Sequence, residues 1–339
     1  MKQPVLILFG PTASGKTALL ERLFGSAGSM RAENKFSVEI ISADSMQVYR
    51  GMDIGTAKPS PEERAKIPHH LIDIRNPDEQ FNAGEFTRLA EEACAAAAAR
   101  GALPVVSGGT GFYLKNLTLG LSETPPVDRE IRRLLKNELA AKGAASLMEE
   151  LAGADPVSAG RIHINDEYRL LRALEVYRLS GRPLSSFASP WNKAAGCPER
   201  PFRFLLVGLR RDREELYRRI NERTAAMFRA GLADEVKRLY EAGYTPTDPG
   251  LRAIGYREFF VQDANNVWRL SEDLAGVEAL VAQNSRRYAK RQITFFASLP
   301  AVNWLDCGKD DAAEISKILK SFTKIFTTNR HKPIRTRKS

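Results

Sequence analysis

Val5-Leu6-Ile7-Leu8-Phe9-Gly10-Pro11-Thr12-Ala13-Ser14-Gly15-Lys16-Thr17 is the stretch that decides how this chain folds. The first five residues form an uninterrupted apolar run, the pattern of a strand buried on both faces. Gly10 to Thr17 matches G-x-x-x-x-G-K-[ST], a P-loop, and the pattern after Lys16 predicts a helix. Glycines in such a loop let backbone N–H groups close around phosphate oxygens. Lys16 adds a point charge, and the Thr17 hydroxyl can ligate magnesium. The whole of Gly10, Pro11, Thr12, Ala13, Ser14, Gly15, Lys16 and Thr17 is therefore the candidate diphosphate or nucleotide site.

Outward from that unit, Val38 to Ser42 and Leu103 to Ser107 are further apolar, β-branched strands. An alanine-rich helix from Phe86 to Arg100, closed by Gly101, separates them, and Arg203 to Leu209 predicts one more strand. Strands alternating with helices indicate an α/β fold with a parallel sheet. Between about Leu121 and Pro201 the alternation stops. Asp128 can cap a helix whose Ile131, Leu134, Leu135 and Leu139 fall on one face. A second helix, Asp166 to Ser180, ends at Gly181 and Pro183. Asp212 and Glu215 give a capping-box-like start to a later helix, and Ala275 to Leu299 predicts a long final one. The expected organisation is a P-loop NTPase-like α/β core with an all-helical insert domain. Its parts are 1–120 (core), 121–201 (insert), 202–308 (core completion, mainly helical) and 309–339 (basic tail, expected to be flexible).

Composition bounds the function. With 339 residues, 43% hydrophobic and 27% charged, the chain is of globular type. The apolar run at the N-terminus is too short for a signal peptide or a membrane span, which places the protein in the cytoplasm with no membrane partner. Cys94, Cys197 and Cys307 lack metal-ligand spacing, so no zinc site is expected. The segment Ile315 to Ser339 holds eight Lys or Arg and no acid, and so carries eight of the net +10. Bulk charge is thus weak evidence for RNA; local clusters must carry it. Arg169 and Arg172, Arg286 and Lys290, and Arg287 and Arg291 are spaced to share helix faces, interleaved with Tyr168, Tyr288 and Gln292. Arg219 and Arg223 are likewise one turn apart.

Two loops share the sheet rim with the P-loop. Leu103 to Ser107 runs into Gly108-Gly109-Thr110-Gly111, so the Walker-B aspartate of a phosphoryl-transfer enzyme is missing. Asp44 follows Val38 to Ser42, where three roles fit it: magnesium ligand, general base or helix cap.

Further blocks occur in order: Asp44-Ser45-Met46-Gln47-Val48-Tyr49-Arg50-Gly51-Met52-Asp53-Ile54-Gly55-Thr56-Ala57-Lys58-Pro59, His69-His70-Leu71-Ile72-Asp73, Arg172-Ala173-Leu174-Glu175-Val176 and Gly255-Tyr256-Arg257-Glu258. With the P-loop and Gly108 to Gly111, they resemble the bacterial tRNA dimethylallyltransferase family, from about Val5 to about Leu305. The resemblance implies a P-loop that grips dimethylallyl diphosphate, with Mg2+ and no zinc. It implies transfer of the dimethylallyl group to N6 of the adenosine 3′-adjacent to the anticodon of a tRNA, which is met as an anticodon stem-loop. The chain is expected to act as a monomer.

By the same resemblance Asp44 matches the general base, and Thr17, Lys16 and Arg223 match positions at the diphosphate. Regions touching tRNA are Asp44-Ser45-Met46-Gln47, Thr110, Arg132 and Tyr168-Arg169-Leu170-Leu171-Arg172. They continue in Arg252-Ala253-Ile254-Gly255-Tyr256-Arg257 and Ser285-Arg286-Arg287-Tyr288-Ala289-Lys290-Arg291-Gln292. This chain departs from the family pattern in a longer loop over Gly25 to Lys35. Eukaryotic relatives also carry a C-terminal zinc finger, for which there is no Cys/His pattern here. Rival readings are an adenylate (free nucleotide) isopentenyltransferase, an ATP-dependent P-loop kinase and a noncatalytic RNA-binding P-loop protein. A free nucleotide needs no arm bearing Arg169 and Arg172, and the last requires Asp44 to be dispensable.

Overall fold

The computed structural model describes residues 2–25, 37–187, 200–307 and 317–318. Most of the predicted loop insertion, Cys197 and nearly all of the basic tail lie outside them.

The first unit, residues 1–118 and 200–339, is built on a parallel sheet. Its strands are β1 (Gln3–Phe9), β2 (Val38–Ser42), β3 (His69–His70), β4 (Leu103–Gly108), β5 (Phe202–Arg210) and β8 (Val302–Asp306). They lie in the order β3-β2-β4-β1-β5-β8, with every pairing parallel. Alternation along β1 explains why its apolar run is unbroken. Leu6 and Leu8 enter a core with Leu19, Leu20 and Leu23 of helix α1 (Lys16–Phe24). Val5, Ile7 and Phe9 enter another with Phe86, Ala90 and Cys94 of α3 (Ala83–Ala99). Between these helices in sequence lies α2 (Pro61–Lys66), opened by a capping box of Ser60 and Glu63. After β4 comes α4 (Gly111–Leu119).

The second unit, residues 119–199, holds α5 (Arg129–Ala154), α6 (Pro156–Ala159) and α7 (Glu167–Ser180). Asp128 caps α5 through the N–H groups of Glu130 and Ile131, both at 2.9 Å. The element breaks at Gly143 (φ 78°, ψ 166°), a conformation that favours glycine, and its two arms pack Leu135, Leu147 and Leu151 against Leu170, Leu171 and Leu174 of α7. Leu134 was expected on this apolar face but is 45% exposed. The line of contact runs through Ile131, Leu135 and Leu139 and leaves it at the edge.

The core completion contains α8 (Arg213–Arg229), α9 (Leu232–Glu241), the antiparallel hairpin β6 (Phe260–Gln262) and β7 (Trp268–Leu270), and α10 (Leu274–Phe296). Asp212 caps α8, but Glu215 turns to Arg218, so the reciprocal half of the expected capping box is not made. β3, β8 and the hairpin were not expected, and this portion is less purely helical than predicted. Edge strands have one open side and short pairings, so they leave no long apolar run to detect.

Candidate active site

β1 delivers the P-loop at the carboxyl edge of the sheet, and close packing fixes its shape. A Cβ on Gly10 would lie 2.8 Å from Ser14 Oγ and 3.0 Å from Leu209 Cβ. Gly15 sits at φ 102° and Ala13 at φ 62°, the latter a left-handed conformation that costs a non-glycine residue about 1 kcal/mol or more. Two arginines support the loop from outside. Arg211 Nε donates to Ser14 O and Arg219 Nε to Ala13 O, each at 2.9 Å. Inside, Lys16 Nζ donates to Gly10 O (2.9 Å) and Pro11 O (3.0 Å). Ser14 Oγ is buried and finds no partner among the described residues.

Asp44 stands on the turn after β2. Its Oδ1 accepts the Met46 N–H at 2.9 Å, so it closes a turn rather than capping a helix. Asp44, Lys16 and Thr17 line one cavity of about 100 Å³, with Gln47 and Ser107 alongside and Leu20, Ile40 and Ile67 as an apolar wall. Burial, and after it the Arg223 charge, pulls the Lys16 ammonium down to about 8, with Asp44 opposing both. Arg223 is lowered by burial as well, and again Asp44 resists. Two crowded cations and one carboxylate thus form a site short of negative charge, which an anionic diphosphate would supply.

The loop after β4 is more than a plain turn. A Cβ on Gly108 would lie 2.1 Å from Ala43 O, and one on Gly111 would lie 2.4 Å from the Phe295 ring. Thr110 N–H donates to Ala43 O (3.1 Å), while its Oγ1 accepts the Ser45 N–H (3.0 Å). Gln47 takes a hydrogen bond from Ser42 Oγ (2.9 Å) and gives one to Ala57 O (3.2 Å). The rest of the Asp44 to Pro59 block is strapped just as tightly. Lys58, with its side chain 2% exposed, pairs with Asp53 and Asp73, both at 2.6 Å. Arg211 and Arg219 escaped the sequence reading of the P-loop; the only trace of Arg219 was its one-turn spacing from Arg223.

The expected RNA-facing residues divide. Arg287, Lys290 and Arg291 are exposed on α10, Arg286 bonds Asn221 Oδ1, and Ser285 is partly buried. Arg252 donates to Thr247 O (2.6 Å), Arg257 pairs with Glu258 (3.2 Å), Gly255 N–H bonds the same carboxylate, and Ile254 packs on the core beside them. In the insert, Tyr168 is 70% exposed, with the Arg132 guanidinium 5.1 Å from its ring centre. Arg169 lies 3.3 Å from Asp166. Arg132 (3.3 Å) and Arg172 (2.8 Å) are both drawn to the fully buried Glu175. Six side chains expected at the RNA are instead internal: Leu170, Leu171, Ala253, Tyr256, Ala289 and Gln292. The segments were assigned whole, and helical and turn geometry sends part of each inward.

The β1–loop–α1 unit on this parallel sheet defines a P-loop NTPase-like protein. Residues 47–299 match the IPP transferase family model, and the chain belongs to that family. It is 43% identical over 305 residues to a tRNA dimethylallyltransferase of Geobacter sulfurreducens, covering 90% of this chain and 92% of the relative. Among solved structures, the full-length tRNA isopentenylpyrophosphate transferase of Bacillus halodurans is 34% identical with a TM-score of 0.63, covering 98% of this chain and all of that one. A eukaryotic dimethylallyltransferase, described as acting on tRNA, is 26% identical with a TM-score of 0.73, over 99% of this chain and 81% of its own. No helix among the described residues is long and apolar enough to cross a membrane.

Proposed function

We propose that this chain is a tRNA dimethylallyltransferase, moving the dimethylallyl group of dimethylallyl diphosphate to N6 of the adenosine 3′-adjacent to the anticodon. One observation carries the reading. Asp44 shares a cavity with Lys16 and Thr17, while β4 ends at Gly108 and runs into Gly109 and Thr110 where a phosphoryl-transfer enzyme would place an aspartate. A carboxylate beside a diphosphate grip suits an amine acceptor better than a triphosphate hydrolysis.

The acceptor base must leave its stack to reach the site, at a cost of a few kcal/mol. The bond from the allylic carbon to the diphosphate oxygen breaks, and its electron pair leaves with pyrophosphate. Lys16, Arg223 and the loop amides receive that developing charge. The N6 lone pair forms the new C–N bond, and Asp44 takes the N6 proton. Magnesium fits the donor set: the Thr17 hydroxyl at the head of α1 would hold it together with diphosphate oxygens, and it would neutralise charge on the leaving group. The enzyme is placed in the cytoplasm, working as a monomer on an anticodon stem-loop.

Labelled dimethylallyl diphosphate offered with an unmodified tRNA transcript, ATP and AMP together tests the reading. Label should enter the tRNA and ATP should stay intact. ADP formed in proportion to tRNA, with the γ-phosphoryl group carried on the tRNA, would establish the kinase instead. Label recovered in AMP would establish a free-nucleotide prenyltransferase.

A further inference from the structure

Gln292 matched a region expected to touch tRNA, yet its side chain is 5% exposed and faces the diphosphate loop. Its Oε1 accepts the Thr12 N–H at 2.9 Å, and its Nε2 donates to Gly109 O at 2.8 Å. One planar amide therefore joins the P-loop to the glycine-rich loop after β4. The fit is close on both sides: a Cβ on Gly109 would come within 2.5 Å of Gln292 Nε2. One turn earlier on α10, burial and the nearby Asp44 charge push the Tyr288 phenol up to about 12, so it stays neutral.

We infer that Gln292 is a positioning residue for the diphosphate site and not an RNA contact. It fixes the P-loop amides against the loop that carries Thr110 before any ligand arrives. The inference rests on the proposed reaction only for what the bound diphosphate belongs to. The chemistry of the strut is demanding, because it needs an acceptor at one end and a donor at the other across a buried gap. Glutamine supplies both. Glutamate keeps the acceptor, loses the donor and brings a negative charge toward the ligand. Methionine keeps the length and loses both polar ends, while asparagine keeps both ends one methylene short. A preorganised amide array binds an anion without having to be ordered by it, so loosening the strut should weaken diphosphate binding selectively.

The test uses the full chain carrying Gln292→Asn, Gln292→Met or Gln292→Glu. Pyrophosphate binding is measured by calorimetry with magnesium, tRNA binding by filter titration, and the KM for dimethylallyl diphosphate separately from kcat. Methionine should weaken pyrophosphate binding and raise that KM about tenfold or more, the scale of one buried hydrogen-bond partner left unpaired. Glutamate should be worse than methionine despite its better shape, asparagine the mildest, and tRNA affinity should stay within about twofold for all three. Weakened tRNA binding with unchanged pyrophosphate binding would overturn the inference in favour of an RNA contact. A lowered unfolding temperature in the asparagine variant, with wild-type pyrophosphate binding, would reduce Gln292 to a core residue and also overturn it. If wild type binds pyrophosphate but transfers nothing to tRNA, the reaction reading fails, while the order of the three variants still decides the role of Gln292.

Discussion

Tyr256 Oη donates a 2.6 Å hydrogen bond to Glu235 Oε1, and that same buried carboxylate gathers the backbone N–H groups of Asp53, Ile54 and Gly55. Two of the sequence blocks that carry the family resemblance, Asp44 to Pro59 and Gly255 to Glu258, are thus one structural device. Gly55 must be glycine here because a Cβ would lie 2.5 Å from the Tyr256 ring.

Tyr256→Phe should lower unfolding stability by about 1–3 kcal/mol, the usual cost of leaving one partner of a buried charged hydrogen bond unmatched. Glu235→Gln should cost more, because its amide group would turn a donor toward N–H groups already pointing inward. Urea unfolding of both variants measures this. A Glu235→Gln protein as stable as wild type would remove the carboxylate from the account of this turn.

Asp44→Asn should slow transfer by roughly two to four orders of magnitude while leaving tRNA binding intact. The amide oxygen can still accept the Met46 N–H, so the turn survives and only proton acceptance is lost. Single-turnover rates decide it. Near wild-type rates would leave Asp44 a turn-closing residue.

Lys16 predicts a pH dependence whose sign follows from its charge. The protonated form binds the diphosphate, and burial with Arg223 brings its titration down to about 8. In the free enzyme that proton is lost as pH rises through this region, so kcat/KM for dimethylallyl diphosphate should fall above about pH 8. Bound diphosphate raises the ammonium again, so kcat at saturation should fall later. Lys16→Arg should move the decline in kcat/KM to higher pH. A decline unchanged in Lys16→Arg would assign it to another group.

In the insert, Arg169 and Arg172 should behave differently. Arg172 shares the buried Glu175 with Arg132 and also reaches Pro125 O, so Arg172→Ala should chiefly destabilise the unit. Arg169, with a side chain 71% exposed, is the clean probe of RNA contact. Arg169→Ala should flatten the slope of log affinity for tRNA against log salt by about 0.7–0.9. An unchanged slope would show that Arg169 meets no phosphate.

Some of this was legible in order along the chain and some was not. Local pattern carries strands buried on both faces, loops with a fixed glycine spacing and helices with caps. That is why β1, the P-loop, β2, β4 and the Asp128 cap could be read from the residues. Asp44 could be placed at the sheet rim because carboxyl ends of parallel strands converge there. β3 and β8 could not be found, since two residues and a five-residue edge strand carry too little periodic signal.

By itself the sequence determined the α/β class, the P-loop and the family, because these depend on residue types at fixed separations. Only the tertiary structure decided which charges are free to act. Arg219 and Arg211 turned out to brace the P-loop from more than 190 residues away, Arg172 to serve a buried glutamate, and Gln292 to join two loops rather than face solvent. A side chain's partner across the core is set by how elements pack, and helical spacing names the face a residue lies on without naming what that face will meet.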